Sequence, residues 1–471
     1  MKTLRWISAG AILALTSALG SIAKAQTPLA PAPEPADTSL DDTPPPPAIP
    51  VPQVSDPMLA PPPDTANKVQ SWSDALSLVR ARSPDYQGNL QNVARAEAQT
   101  REALASLLPV VTGTGSYTHN FFQVDIPFNG ATLVSPPANV WQAGATAAWT
   151  PLNARAYHDW NTAKEAVDVA KLSFEDRRRV IASSVVSAML ATLAAARVAE
   201  LNRVGLKSAL ERLHLTEARL QYGQGTPLDV DRANEDVAAS RRLIIDGDES
   251  LRRAREALGA ALGSKDPMTV STDLDLEGFE KAVAATCHLN DAIEKRPDVM
   301  AARQKVDLAD RAVTSAELAP LPTVGVQSQA VYSSAPLLGP NGTLSVAAVL
   351  TVPFYDGGYR YGQLRDARAA ETQAEAELYS VRLAAVVSAA RAKRSVDVSR
   401  ADRDVSKSER DLAARIDMRT REAYSRGHGT SLDLVTSAQA LRLAEINLAI
   451  LEFQLAEARA DAVLENAECV F

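Results

Sequence analysis

Between Pro151 and Pro227 the apolar positions recur at alternating three- and four-residue steps: Trp160, Ala163, Val167, Ala170, Phe174, Arg177, Ile181, Ser184 and Ala188 share one seam. That is the spacing of a helix packed coiled-coil fashion on a neighbour, although the small and charged members of the seam weaken it. The stretch Ala154–Gln221 holds no proline and one glycine, Gly205. The pattern therefore predicts one continuous helix of roughly 68 residues, about 100 Å long, several times an ordinary globular helix. A second stretch, 363–426, contains neither Pro nor Gly and predicts a rod of nearly equal length.

The period changes ahead of each rod. Residues 110–124 and 140–150 alternate small, polar and apolar side chains around a Gly/Pro/Asn-rich loop, which predicts two strands of a hairpin. Trp141 and Trp149 lie on one face of the second strand, about 26 Å apart. That separation approximates the apolar band of an outer-membrane strand with aromatics at both interfaces; an ordinary amphipathic hairpin with two core tryptophans is the other reading. Ser71-Trp72-Ser73-Asp74 opens a helix before this hairpin, Ser83-Pro84-Asp85 breaks and restarts it, and Pro109 ends it. After the rod, Gly223, Gly225 and Pro227 turn the chain into a shorter helix that ends at Gly263, with Asp246-Gly247-Asp248 as a soft spot.

Beyond a mixed connector at 264–289 the order repeats. Arg296-Pro297-Asp298 echoes Ser83-Pro84-Asp85, Pro322 stands where Pro109 stood, and strands at 323–332 and 344–352 flank another Gly/Pro/Asn loop. Pro353 echoes Pro151, and Tyr424-Ser-Arg-Gly427 echoes Tyr222-Gly-Gln-Gly225. Both turns run on into Leu-Asp-aliphatic, as Leu228-Asp229-Val230 and Leu432-Asp433-Leu434. The structural part is thus a duplication, 68–263 and 290–471, of helix, hairpin, long helix and helix. The period is far too long for a solenoid. In each copy the two short helices together match one rod, so they can lie end to end along it. The fold expected is mostly α with a small β part. Two hairpins supply four strands, whereas the smallest closed membrane barrel has about eight, and open edges do not survive in lipid. Membrane strands here would require several copies to share one barrel.

Composition changes little in this picture. Lys2 and Arg5 precede an apolar run and Ala23-Lys24-Ala25, predicting a signal peptide over 1–25. Residues 26–67 are proline-rich and are expected to form a disordered or semi-rigid tether. The formal charge is −8, and no basic patch interleaved with aromatics argues for nucleic acid. The five histidines show no metal-ligand spacing, and no nucleophile elbow or P-loop occurs, so neither an enzyme, a metal site nor a cofactor is expected. Cys287 and Cys469 are an even pair and a possible disulfide in an oxidising compartment.

In its duplication, Arg296-Pro297-Asp298, Leu321-Pro322, Pro353-Phe-Tyr-Asp-Gly-Gly358 and the Tyr424-x-x-Gly427-x(4)-Leu432-Asp433-Leu434 turn, the sequence resembles the TolC family of outer-membrane efflux channels. The resemblance implies a homotrimer whose twelve strands form an outer-membrane barrel, continuous with a periplasmic helical barrel that tapers shut at the turns. It implies a periplasmic adaptor protein docking at turns containing Gly225, Thr226, Gly427 and Thr430, with an inner-membrane pump behind it. It also implies a gate of carboxylates, here Asp229 and Asp433, with Tyr424 holding the inner helix pair closed. Such a ring would favour cations. Helix capping is the plainer role for both aspartates. The sequence departs from the family at Gly429, where the gating arginine would stand, and at Thr436 in place of a second carboxylate. On this alignment the first turn is two residues shorter than the second, and Arg421 or Arg426 could build the lock differently, with His428 nearby. The reading is a passive conduit for small molecules such as drugs or metals. A periplasmic coiled-coil adaptor or spacer, or a secretion channel for proteins, is the alternative.

Overall fold

A computed structural model describes residues 54–471 except 129–130, 272–275, 290–292, 336–339, 466 and 470–471; for 126, 128, 131–134, 287–289 and 467–468 it describes the backbone alone. The expected signal peptide and residues 26–53 of the expected tether lie outside the described residues.

The first copy runs β1 (Lys68–Val69), α1 (Trp72–Arg82), α2 (Pro84–Ala105), β2 (Val110–His119), β3 (Val124–Phe128), β4 (Ala131–Ser135), β5 (Asn139–Leu152), α3 (Ala154–Gln221) and α4 (Pro227–Ala261). A connector follows with β6 (Thr269–Val270), α5 (Leu276–Thr286) and β7 (Cys287–Leu289). The second copy is α6 (Pro297–Leu318), β8 (Thr323–Ser333), β9 (Gly342–Thr351), α7 (Tyr359–Ser425), α8 (Ser431–Leu464) and β10 (Ala467–Cys469). The helices begin where the sequence places caps. The Ser71 and Ser83 hydroxyls accept the Asp74 and Tyr86 amides, and the Asn153 side chain accepts that of Ala156. The rods α3 and α7 are continuous over 68 and 67 residues, so each spans about 100 Å. α4 runs unbroken through Gly247, where a soft spot was expected; that glycine packs against Asn202, whose amide donates to the Leu243 carbonyl.

The short helices α2 and α4 pack on α3, and α6 and α8 pack on α7, as the length arithmetic requires. Their ends meet beside the middle of the rods. Gly263, just past α4, abuts the Arg82–Ser83 backbone at the α1/α2 junction; its φ of +75° and the Arg82 carbonyl 2.5 Å from a notional Cβ leave room for no other residue. The main apolar core forms a collar at this level, built from Ile181–Leu190 of α3, Val79 of α1, Leu258 and Leu262, Phe279 and Val283 of α5, and Ala460 and Leu464 of α8. α3 and α8 each carry an apolar window long enough to cross a membrane, but 39% and 44% of those windows is buried inside the chain. Their apolar residues serve this packing.

Charge ties the collar together. Arg177 donates to both oxygens of Asp85, at 3.2 and 2.6 Å, joining α3 to the start of α2. In the second copy Arg296, 4% exposed, reaches Asp298 at 2.8 Å and Glu465 at 3.1 Å, joining the start of α6 to the end of α8. Burial alone would raise the Asp298 carboxyl, but hydrogen bonds and charge from Arg296 outweigh it and hold it below the usual range. β10 pairs antiparallel with β7, setting Cys469 opposite Cys287. Cys469 is buried and disulfide-bonded; the Cys287 side chain lies outside the described residues.

One expectation needs correction. The composition predicts a tether running to residue 67, yet its last part, 54–67, lies along α3 and α4. Asp56 accepts from Arg241 at 2.8 Å, Met58 and Leu59 pack against Leu206, Ala209, Val237 and Ile244, and the carbonyls of Ala60 and Pro63 accept from Arg203 and Arg255. Proline removes donors but leaves every carbonyl as an acceptor, so a proline-rich strap suits a helix face lined with arginines.

Candidate functional site

Two regions carry the features singled out in the sequence: the sheet at one end of the rods and the pair of turns at the other. The sheet has the order β2-β5-β8-β9, all antiparallel, and β2 and β9 have no further partner among the described residues. Register sorts its side chains into two faces. Val111, Tyr117, Trp141, Ala143, Ala145, Trp149, Ala330, Tyr332, Leu344, Val346 and Leu350 share one. Thr112, Thr114, Gln142, Thr146, Gln327, Gln329, Ser345 and Thr351 share the other. The apolar face is open: Trp141 is 62% and Leu344 74% exposed. Tyr117, Trp141 and Tyr332 cluster toward one end, with Tyr117 and Trp141 in ring contact at 4.6 Å. Trp149 stands toward the other end, its indole N–H donating to the Leu107 carbonyl at 2.9 Å. An apolar band between aromatic levels, backed by a polar face, is the pattern of a strand set with lipid on one side and water on the other.

At the far end the two turns are alike in length: α3 ends at Gln221 and α4 starts at Pro227, α7 ends at Ser425 and α8 starts at Ser431. The expectation of a shorter first turn is overturned. Matching Tyr222 with Tyr424 shifted the alignment. By geometry Tyr222 and Arg426 are the two C-caps, and Tyr424 corresponds to Leu220. Each turn is a Schellman closure. Gln224 N–H bonds the Arg219 carbonyl and His428 N–H that of Ala423, both at 2.9 Å, while Gly223 and Gly427 take φ of +70° and +81°. Gly427 is therefore the left-handed residue, as its place in the motif suggested. Gly225 is not, and it corresponds to Gly429; a Cβ on either would press on the preceding helix end, at 3.1 Å from Leu220 N and 3.0 Å from Tyr424 N.

Thr226 and Thr430 are N-caps in full capping boxes with Asp229 and Asp433. Each threonine hydroxyl accepts its aspartate's amide, and each aspartate side chain accepts its threonine's amide. The Thr430 hydroxyl and amide hold the exposed Asp433 carboxyl below its usual range. Asp229 carries more. The Ser431 hydroxyl donates to it across the turns, and Arg232 sits 3.9 Å away and donates to Ser431 at 3.3 Å. That hydroxyl is the foremost reason its carboxyl is held low.

Tyr424 is 5% exposed and covered by Arg219, whose guanidinium lies 4.3 Å from the ring centre and donates to the Tyr424 carbonyl at 3.0 Å. Among the described residues nothing hydrogen-bonds the Tyr424 hydroxyl, so its contact across the turns is made by ring face and backbone. Arg219 and Ser431 were missed in the sequence because they act across the duplication, and no local spacing links them. Arg421 pairs within its own helix with Asp417 at 2.7 Å, and Arg426 lines the cleft between the turns, together with Arg219, Arg232 and Thr226. No group of side chains suited to a metal ion occurs among the described residues.

A sequence profile described as outer membrane efflux protein matches residues 75–264 and 288–462, most of the chain and both copies of the repeat. The chain belongs to the outer membrane efflux protein family. Its place is the outer membrane, and the likeness to TolC channels drawn from the motifs is borne out. Relatives in this family include a fusaric acid resistance protein, FusA, of Burkholderia cepacia, 26% identical over 64% of this chain and 58% of its own length. Another is a pyoverdine export outer membrane protein, OpmQ, of Pseudomonas putida, 25% identical over 64% of each chain. The chain thus aligns with less than two thirds of either relative. The fold is that of the Campylobacter jejuni CmeC outer membrane channel, with a TM-score of 0.70 at 15% identity over 89% of this chain and 93% of that one. It is also that of the open-state Neisseria gonorrhoeae MtrE channel, with a TM-score of 0.68 at 17% identity over 88% and 97%.

Proposed function

We propose that three copies of this chain close a shared twelve-stranded barrel in the outer membrane. Their rods form a tunnel beneath it, through which small molecules leave the cell. The observation that carries the reading is the sheet: an apolar face banded by aromatics, a polar face, and two bare edges. β2 and β9 lie at opposite edges of an antiparallel set of four, so β9 of one copy meets β2 of the next antiparallel, and any number of copies continues the alternation. Lipid tolerates no open edge, so closure is obligatory. The apolar face then meets lipid and the threonine- and glutamine-bearing face lines water.

The turns form the periplasmic gate. Asp229, Ser431 and Arg232 on one side, and Arg219 on Tyr424 on the other, hold the two turns of a chain together, and parting them widens the mouth. Asp433 is the carboxylate left exposed for passing cations. Adaptor and inner-membrane pump partners dock around Gly225, Thr226, Gly427 and Thr430. The relatives' names, fusaric acid resistance and pyoverdine export, support a small organic cargo here. The test is a set of cysteine pairs stepped along one face of the two edge strands, T112C, T114C or S116C each combined with S345C, A347C or V349C. Oxidation should produce covalent dimers and trimers of the membrane-inserted protein, whereas a chain that stays a monomer with every pair refutes the shared barrel.

A further inference from the structure

The rod α3 holds a single glycine, and the fold supplies a reason for it. At Gly205 the side chain of Arg442, from α8 of the other copy, crosses the rod so closely that a Cβ would lie 2.6 Å from its Cδ. Having crossed, Arg442 donates to Ser240 of α4 at 2.6 Å and comes within 3.8 Å of Asp236. Asp236 is 1% exposed and takes hydrogen bonds from two donors, Arg212 of α3 at 2.5 Å and Gln439 of α8 at 3.1 Å. One carboxylate therefore gathers α3, α4 and α8 at a single buried point, about 14 Å above the turns at 1.5 Å per residue.

The arrangement is not duplicated. Counted from the turns, the positions matching Gly205, Arg212, Asp236 and Arg442 are Glu409, Ile416, Ala440 and Ala238. The tie thus exists on one side of the internal repeat only. Two guanidiniums face one carboxylate, and both residues are only 8% exposed, so losing the carboxylate would leave buried positive charge without its partner.

We infer that Asp236, with Arg442 passing over Gly205, is the positioning element that fixes α8 to the α3–α4 pair and sets the height at which the helix pairs part when the turns open. Below it the pairs are joined by the Arg219–Tyr424 and Ser431–Asp229 contacts at the turns, which water can reach. At the tie itself the charges are buried and face one another. Opening is therefore confined to the segment below Asp236, and the tie acts as its hinge. This inference rests on the gated-conduit reading.

The experiment uses the full chain in planar bilayers, and in detergent with spin labels replacing Tyr222 and His428 on the two turns. Three variants act on the one tie by different means: D236N removes the charge, R442Q the crossing side chain, and G205A displaces Arg442 while leaving every charge in place. Each is expected to raise the open fraction about tenfold or more and to lengthen the label separation, as loss of a charge-assisted contact between two states requires. G205A with R442Q should do no more than R442Q alone, because both sever the same contact. D236E, which keeps the charge, should hold the turns near their native separation; this distinguishes positioning from bulk destabilisation. Unchanged open fraction and separation in all three single variants, with wild-type conductance present, would overturn the tie. Additive effects in the double variant would overturn it too. Absence of conductance in the wild-type protein would instead sink the conduit reading, and the label distances would still decide the tie.

Discussion

Replacing Arg296 with Met tests how the collar is held. The methionine keeps most of the apolar stem and removes the guanidinium that bridges Asp298 and Glu465. Removing one partner of a buried ion pair costs about 3–5 kcal/mol, because the partner stays buried and uncompensated. Here the arginine is 4% exposed but the carboxylates are 22% and 25% exposed, so water recovers part of their solvation. The expected loss at neutral pH is therefore about 2–4 kcal/mol. Its pH dependence has a definite sign. Burial works to raise both carboxyls, but arginine contacts, and for Glu465 the Ser388 hydroxyl, hold both below their usual values. A carboxyl lowered in the folded state stabilises above its unfolded pKa of about 4, and that stabilisation is lost as pH falls through the folded value. Without Arg296 the burial penalty prevails at Asp298, so the gap between wild type and R296M should be widest near pH 7, narrower near pH 4, and close only as pH falls through the lowered wild-type value. Denaturant unfolding in detergent, followed by helical circular dichroism at both pH values, reads the shift in midpoint at unchanged slope. R296M/D298N should recover about half the loss, since Glu465 keeps Arg179 at 3.2 Å. A loss below about 1 kcal/mol, or one equal at both pH values, would mean that the Arg296 ion pairs do not hold the collar.

The turns make three further predictions. T226A and T430A each remove a capping hydroxyl and should cost about 0.5–2 kcal/mol of stability, while D229A, which also breaks the Ser431 contact, should raise channel leak where D433A changes only ion selectivity; equal leak from both aspartate variants would count against a cross-turn latch. Y424F should behave as wild type in conductance, because the ring face and carbonyl carry the contact, whereas R219M should open the mouth; a strong Y424F effect would mean the hydroxyl matters after all.

Much of this architecture was visible as period. Switches between helical and alternating spacing located α3, α7, β5, β8 and β9 to within a few residues, and the Trp141/Trp149 separation gave the apolar face because strand side chains alternate strictly. The strand expected over 110–124 ends at His119, and the loop expected after it folds into the β3–β4 hairpin. The turns were found but misaligned. Two tyrosines of the same type drew the eye, whereas the backbone is fixed by where a left-handed glycine can stand, at Gly223 and Gly427. Capping by Asp229 and Asp433 was legible because an aspartate just inside a helix start suits the helix dipole, while the threonines that complete each capping box were not read. Contacts between the copies left no trace: nothing in the spacing of Arg219 and Tyr424, or of Gly205 and Arg442, pairs them before the fold is known. The strap at 54–67 was hidden for a related reason. Its composition describes an extended chain, and only the arginine-lined face of α3 and α4 gives it a place to lie.

On the proposed function, several copies share one barrel and conduct. The most direct measurement is the conductance of purified protein in planar bilayers, made on a particle whose mass has been determined in the same detergent. A particle of three chains giving discrete steps is expected; a monodisperse single chain with no conductance would rule out the shared barrel.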